Sequence, residues 1–440
     1  MKYLFSLTVF FLALIFSLRN KEKYILYLLA FSLSFLAAPL KNADFPIWIG
    51  LSSFIILGLF MGRIVKIIPN KKSEYFFDKK VLIMRLLFIF LILSILIPLF
   101  STDYNPFYNN GMWYSYINFI IYIIILLMFI NIIPINNFSL IQEMMLFFNL
   151  SIFMHLISII ATLLNIEILP SFLVAQEVKN PIEYRFCGLF GGYELFIDYI
   201  MIVITFSLWF ILKRKYVLLS YITLIISLFL AILTGTRSFI VVFIIFVFVY
   251  VLLAFIKSER KIKNFLRVIM IFIFLFIMFE YFTPEIFIST LSFRSQETLN
   301  YIGFENIEKV SNRDWSEAFP IVINQGGVLG HGAFLSTEFF DHYMIPHCLY
   351  FDIYSKFGIL GILCLIILFI NILKISLNIW KNDRIRISGK SLFPALLIAL
   401  FVQQIKISSL RYIHTILIYA FLFIVIYSLY NIQMRSCYGD

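Results

Sequence analysis

The residues able to do chemistry crowd into one stretch of a largely apolar chain. Positions 311 to 361 read SNRDWSEAFPIVINQGGVLGHGAFLSTEFFDHYMIPHCLYFDIYSKFGILG, with Arg313, Asp314, Glu317, Glu338, Asp341 and three of the five histidines, His331, His342 and His347. His347 follows Pro346 and precedes an apolar span, at a membrane edge. A neutral imidazole there would take a proton from a hydroxyl; the bland alternative is a histidine hydrogen-bonded at an interface. The run from Gly326 to Gly332 breaks any helix and lets the backbone pass close to something. His331, His342 and His347 with Asp341 would offer metal ligands, but neither HExxH nor paired-cysteine spacing is present, so no metal is assigned.

Three arginines have settings suited to an anion. Arg237, in LTGTRSF, lies between two apolar spans joined by almost nothing, and Thr236 or Ser238 would cap the helix that starts there. Free N–H groups and a guanidinium then point the same way, which makes an anion site; an arginine snorkelling to lipid headgroups is the plain alternative. Arg185 sits in EYRFCGLFGGYE among Gly188, Gly191 and Gly192. Arg313 either joins such a site or pairs with Asp314, Glu317 or Glu308 on a solvated helix. Lys406, Arg411 and His414, after Gln403 and Gln404, form a further cationic group that would line a cavity. His155, alone in an apolar span, reads as a packed or hydrogen-bonded core residue.

The elements that position these groups are membrane helices. Apolar residues make up 62% of the chain and charged ones 13%, with mean hydropathy +0.98, far outside the globular range. Apolar blocks fall near 4 to 18, 24 to 40, 46 to 62, 81 to 100, 116 to 133, 141 to 164, 194 to 212, 216 to 234, 238 to 256, 266 to 283, 357 to 376, 391 to 405 and 412 to 430. The expected fold is an all-α polytopic membrane protein of 12 to 14 transmembrane helices, a single integral membrane domain over 1 to 440 with no internal repeat. The first block ends in Leu18-Arg19-Asn20-Lys21 without a small-residue cleavage pattern and reads as a retained span.

The net charge of +11 is spread between apolar blocks, so it reports loop orientation and not a nucleic-acid partner. The denser basic loops, including Arg19 to Lys23, Arg63 to Lys80, Lys213 to Lys215, Lys257 to Arg267 and Lys374 to Lys390, are assigned to the cytoplasm. The two long irregular loops, 165 to 193 and 284 to 347, then fall outside, as does the turn at Gly235. Four scattered cysteines make no disulfide framework, although Cys187 and Cys348 fall on the same side. Arg185, Arg237 and Arg313 likewise share the outer side and suit a multivalent anion such as a lipid pyrophosphate, because the planar guanidinium binds phosphate oxygens in pairs.

SNRDW, then GGVLGHGAF, then PHCLYFDIYSKFGILGI resembles the signature region of the O-antigen ligase and O-antigen polymerase superfamily. There an Arg with a nearby aromatic precedes a Gly-x-Gly stretch, and a His opens a helix with a Gly-x-x-Gly element, here Gly358 and Gly361. LTGTRSF is similar to the family's Thr/Ser-Arg turn and RFCGLFGG to its Arg-x-x-Gly element, so the likeness covers about 180 to 365. Cys348 stands where the ligase pattern has Asn, and Tyr193-Glu194 replaces a common Pro-Asn.

The resemblance implies a metal-independent C-type glycosyltransferase with no cofactor, in the bacterial cytoplasmic membrane with its site on the extracytoplasmic face. It would act on polyprenyl (undecaprenyl) pyrophosphate-linked glycans in O-antigen, lipopolysaccharide or capsule biosynthesis. Arg185, Arg237 and Arg313 would bind the donor pyrophosphate and His347 would be the base, with a chain-length regulator as a further partner. A polymerase of repeat units leads. A ligase onto lipid A core shares its donor chemistry. A polysaccharide flippase is the alternative of another class, for which paired repeats or mid-membrane ionisable residues would be expected.

Overall fold

Away from water, backbone N–H and C=O groups must be satisfied within the chain, so long apolar runs become helices. The computed structural model describes residues 2–35, 41–42, 45–46, 50–67, 81–100, 110–164, 177–179, 184–189, 193–257, 327–330, 348–381, 389–405 and 413–438. These form thirteen helices and two short hairpins.

In chain order they are α1 (Lys2–Leu18), α2 (Glu22–Ser32), β1 (Lys41–Asn42), β2 (Phe45–Pro46), α3 (Leu51–Ile67), α4 (Val81–Phe100), α5 (Asn110–Ile132), α6 (Phe138–Leu150) and α7 (Ile152–Leu163). There follow β3 (Glu177–Lys179), β4 (Tyr184–Phe186), α8 (Tyr193–Leu212), α9 (Val217–Leu233), α10 (Arg237–Lys257), α11 (Leu349–Lys381), α12 (Leu392–Gln403) and α13 (Ile413–Tyr438). Among the described residues five stretches are long and apolar enough to cross a membrane: Phe138–Leu163, Leu195–Leu212, Ser238–Ile256, Leu349–Lys381 and Thr415–Ile432. The protein is therefore an all-α membrane protein in its described part.

Twelve of the thirteen expected spans coincide with helices, and 266 to 283 lies outside the described residues. Two spans are displaced. The second carries helix over Glu22–Ser32, its residues 36 to 40 lying outside the described residues, and the third begins at Leu51, with Pro46 paired to Lys41 in a hairpin. Hydropathy counts apolar residues whatever their backbone does. The block at 141 to 164 is interrupted at Ser151, whose hydroxyl turns back to the Phe148 carbonyl and also meets the Tyr199 hydroxyl.

The chain divides into two compact units. One comprises Met1–Met144, Ser311–Ile372 and Gln404–Val425; the other comprises Met145–Val310, Leu373–Gln403 and Ile426–Asp440.

In the first unit α1 and α3 lie parallel and very close. A Cβ at Gly58 would stand 2.5 Å from the Phe10 carbonyl oxygen, and one at Gly62 would stand 2.5 Å from the Ser17 Cβ. Glycines four apart let the backbones approach, as small residues do between membrane helices. The paired ends converge on Glu22, which accepts from the Ser17 hydroxyl at 3.0 Å and from Arg63 Nε at 3.1 Å, with Lys66 Nζ 3.7 Å away. Burial alone would raise the Glu22 pKa, but the Arg63 guanidinium, Ser17 and Lys66 outweigh it and hold the carboxyl below its ordinary 4.5. Lys23 and the Tyr27 hydroxyl bind Glu143 in the same way. Basic loops that the sequence assigns to one side are thus joined by carboxylates at one end of the unit.

The same unit holds a break in α11. Gly358 adopts φ 60 and ψ −157, which interrupts the helix. The freed N–H of Ile359 bonds the Gly327 carbonyl at 3.1 Å and that of Leu360 bonds the Val328 carbonyl at 3.4 Å. A turn from a distant part of the chain therefore replaces the missing helical turn. Gly330 and Gly358 lie against each other's backbone so closely that a Cβ on either would overlap main-chain atoms of 328, 329 or 356 to 358. Just before the break, Phe357 is fully buried and packs on Phe90 and Phe119, with ring centroids 5.2 Å away in each case. The expected close approach of the GGVLG backbone is thus to α11.

In the second unit a buried polar series links successive helices. Asn149 Nδ2 donates to Ser207 Oγ at 3.2 Å, and Ser207 Oγ lies 2.8 Å from Thr223 Oγ1. Such bonds hold helices together where apolar packing alone does not distinguish helix from lipid.

Two tests follow from these contacts. Gly327→Ala meets nothing within 4 Å but carries φ +52, so it should cost about 1 kcal/mol of stability. Gly358→Ala adds overlap with Val328 and should cost at least about 2 kcal/mol; thermal unfolding in detergent would rank the two. Because the Glu22 pKa is lowered on folding, its contribution exists above the unfolded-state value near 4.5 and is lost as pH falls through the folded value. Glu22→Gln should therefore lower the unfolding midpoint at neutral pH and converge with the parent protein in acid.

Candidate functional site

In the second unit, the segment ahead of α8 re-enters the helix bundle. β3 and β4 pair antiparallel, with Val178 opposite Arg185, and the chain then turns at Cys187 and Gly188. Phe186 and Cys187 are fully buried, and the Leu189 N–H donates to His155 Nδ1 at 3.1 Å. Gly188, at φ +55, lies so near the imidazole that a Cβ there would stand 2.6 Å from Nδ1. His155 is itself fully buried, with the rings of Phe196 and Tyr199 at 4.9 and 5.0 Å. An imidazole that accepts at Nδ1 is neutral and carries its proton on Nε2. His155 is thus a hydrogen-bonded core histidine, and its partner is the turn that follows Arg185.

Arg237 is the first residue of α10. Three residues, Thr234 to Thr236, connect it to α9, with Gly235 at φ 57 making the reversal. Thr236 sits at the expected cap position, and its hydroxyl lies 2.9 Å from that of Thr234. Ser238, the other expected cap, is buried, with no hydrogen-bond partner for Oγ among the described residues. α8 and α9 are packed neighbours joined by the short turn at 213 to 216, so they run antiparallel, and α10 begins at the far end of α9, three residues on. The chain entering α8 and the first residue of α10 consequently share one end of this stack. That brings the backbone positions of Arg185 and Arg237 to the same end from two separate elements.

The first unit carries the described surroundings of His347. Cys348 is buried, and the Leu349 N–H donates to the Gln404 carbonyl at 2.9 Å. Gln404 Nε2 in turn donates to the Tyr419 hydroxyl at 2.6 Å. One backbone bond therefore ties the chain two residues after His347 to the chain two residues before Lys406. One turn further along α11, Lys356 Nζ lies 2.7 Å from Asp352 Oδ1, with side-chain exposures of only 11% and 4%. Ionic groups this buried are costly unless paired, and in an apolar span they mark a working region by default.

Neither Asp352 nor Lys356 stands out as a site residue in the amino-acid sequence. Opposite charges four apart, ahead of Gly358, were the available signal. His414 lies in α13, while Arg313, His347, Lys406 and Arg411 lie outside the described residues, as do His331, Glu338, Asp341 and His342. Cys187 and Cys348 carry no disulfide. No known protein-family model matches the chain, and no curated protein matches its sequence.

The His155 contact has its own test. His155→Phe would leave the buried Leu189 N–H without its acceptor and should cost about 1 to 3 kcal/mol. His155→Asn, whose side-chain oxygen can take the place of Nδ1, should cost less. Thermal unfolding and amide exchange at Leu189 would separate them.

Proposed function

We propose that the protein is a membrane glycosyltransferase that joins polyprenyl-pyrophosphate-linked oligosaccharide repeat units into an O-antigen or capsular polysaccharide at the outer face of the cytoplasmic membrane. The observation that carries this is the common end shared by Arg185 and Arg237. Arg237 adds a helix N-terminus and a buried serine hydroxyl beside it, a combination suited to phosphate oxygens.

In the reaction, an acceptor hydroxyl attacks the anomeric carbon of the donor sugar, and the bond from that carbon to the pyrophosphate oxygen breaks. The hydroxyl proton passes to His347, and the polyprenyl pyrophosphate departs with the bond's electron pair. Negative charge grows on the departing group. Arg185, Arg237 and Arg313 stabilise it more in the transition state than in the bound donor, and this difference is what accelerates transfer. The Leu349 to Gln404 bond and the Gly358 break hold the start of α11 to its neighbours, so the chain leaving His347 meets a fixed helix.

In a strain lacking the gene, single repeat units on the surface lipid are expected. Bare core with intact lipid-linked polymer would indicate a ligase instead, and repeat units stranded on the cytoplasmic side would indicate a flippase. With purified protein and lipid-linked repeat units, Arg237→Ala and Arg313→Ala should each reduce polymer formation by about 10²- to 10³-fold. His347→Ala should reduce it by about 10²- to 10⁴-fold, with normal membrane insertion throughout. Normal long-chain polymer from the Arg313 variant would remove that residue from the site.

A further inference from the structure

The turn between α8 and α9 carries the sequence Lys213-Arg214-Lys215-Tyr216, and its backbone is unfavourable for those residues. α8 closes with the N–H of Arg214 on the Ile211 carbonyl at 3.0 Å and that of Lys215 on the Phe210 carbonyl at 3.0 Å. In this helix ending the first of the two donors sits left-handed, a position that glycine fills most readily and asparagine next. α1 ends the same way, with Asn20 at φ 58 in that place. Here the residue is Arg214, at φ 54, and two positions on Tyr216 repeats the strain at φ 52. An L-residue with a long side chain gains nothing locally from that conformation. Strain retained in two of four residues points to a use for the side chains.

Their surroundings identify the use. Lys213 Nζ lies 5.7 Å from the ring centroid of the fully buried Trp209, and burial pulls its pKa below the ordinary lysine value. Among the described residues no carboxylate forms an ion pair with Lys213 or Arg214. A second basic segment is held against the same helix end. A Cβ at Gly389, φ +80, would stand 3.1 Å from Leu212 and 3.5 Å from Trp209, which brings Lys390 to the KRK turn. Directly after the cations the surface becomes apolar and aromatic, with Tyr216, Leu218 and Tyr221 exposed, Leu218 by 75%. Cations beside exposed aromatic and aliphatic side chains match a phosphate headgroup with acyl chains below it. A helix C-terminus also favours cations, which accounts for lysine here but not for arginine at a glycine position.

We propose that the 213–216 turn, together with Lys390, is a binding site for the headgroup of an anionic phospholipid, separate from the residues assigned to glycan transfer. The occupant is a lipid and not a free phosphate ion, because the exposed apolar flank is continuous with the cationic turn.

The test uses the full-length protein in nanodiscs of phosphatidylcholine alone or mixed with phosphatidylglycerol, with retained lipid counted by native mass spectrometry. The parent protein should retain phosphatidylglycerol preferentially. Arg214→Gly should weaken that retention at least about fivefold while leaving the melting temperature equal or higher, since it removes charge and relieves strain. Lys213→Gln with Lys215→Gln should weaken it further, and Arg19→Gln, an exposed cation on a different turn, should not change it. Parent-like retention by Arg214→Gly, an equal loss with Arg19→Gln, or a lowered melting temperature for Arg214→Gly would each overturn the proposal. Full displacement of the lipid by millimolar inorganic phosphate would overturn the choice of a lipid occupant.

Discussion

Leu189, Ile359 and Leu360 each have a backbone N–H in apolar surroundings where no regular helix can accept it. His155 Nδ1 takes the first, and the carbonyls of Gly327 and Val328 take the other two. Leu349, at the very start of α11, gives its N–H to the Gln404 carbonyl. An unsatisfied amide in such a place costs several kcal/mol, so the chain can leave helical geometry only where a second segment is already present to receive the group. Each departure from helix therefore fixes a tertiary contact. The segments carrying the candidate residues are positioned in this way: the turn after Arg185 by His155, and the helix after His347 by Gln404 and the GGVLG turn.

Glycine makes two of these handovers sterically feasible. At Gly188 a side chain would run into the imidazole, and at Gly330 and Gly358 it would run into the opposing backbone. Positive φ at all three doubles the requirement, because only glycine takes that conformation without strain. The resulting division of α11 has a physical consequence. Residues 349 to 357 carry Asp352, Ser355 and Lys356, whereas 359 to 370 carry no polar side chain apart from Cys364. The break falls at the polarity boundary, so a polar half-helix and an apolar half-helix need not share one axis.

Hydropathy alone made the helices legible, since a run of apolar residues long enough to span has no other way to satisfy its backbone. It ran α2 on past Ser32 and began α3 ahead of Leu51, because it counts apolar residues whatever their backbone does. The GGVLG run was legible as a close approach but not its target, because Gly358 was read as one half of a Gly-x-x-Gly element and sequence spacing cannot pair two distant glycines. His155 was legible as a core residue, while its partner Leu189 was not: a backbone N–H has no signature in the sequence. The β3–β4 hairpin was hidden because its pairing joins two three-residue segments, too short for any period to show. Asp352 and Lys356 were overlooked since opposite charges four apart usually sit on a solvated face, and only burial reveals otherwise.

Charge accounting separates the structural cations from those left for a ligand. Thirty-five basic side chains face 24 acidic ones, so at least 11 cations have no carboxylate of their own chain to pair with one to one. Among the described acids, Glu22 pairs with Arg63 and Lys66, Glu143 with Lys23, and Asp352 with Lys356. A cation in a low-dielectric setting without a counter-charge is costly, so the surplus cations belong where water or an outside anion can solvate them. In the two proposals above, membrane phospholipid meets that need at the 213–216 turn and a lipid-linked pyrophosphate meets it at the turn of Arg237. Arg214 and Arg237 both occupy such turns, one at the end of α8 and one at the start of α10, and those two ends lie at opposite poles of the same antiparallel stack. An arginine at each pole is what a protein would need if it held bilayer lipid at one face and bound a charged substrate at the other.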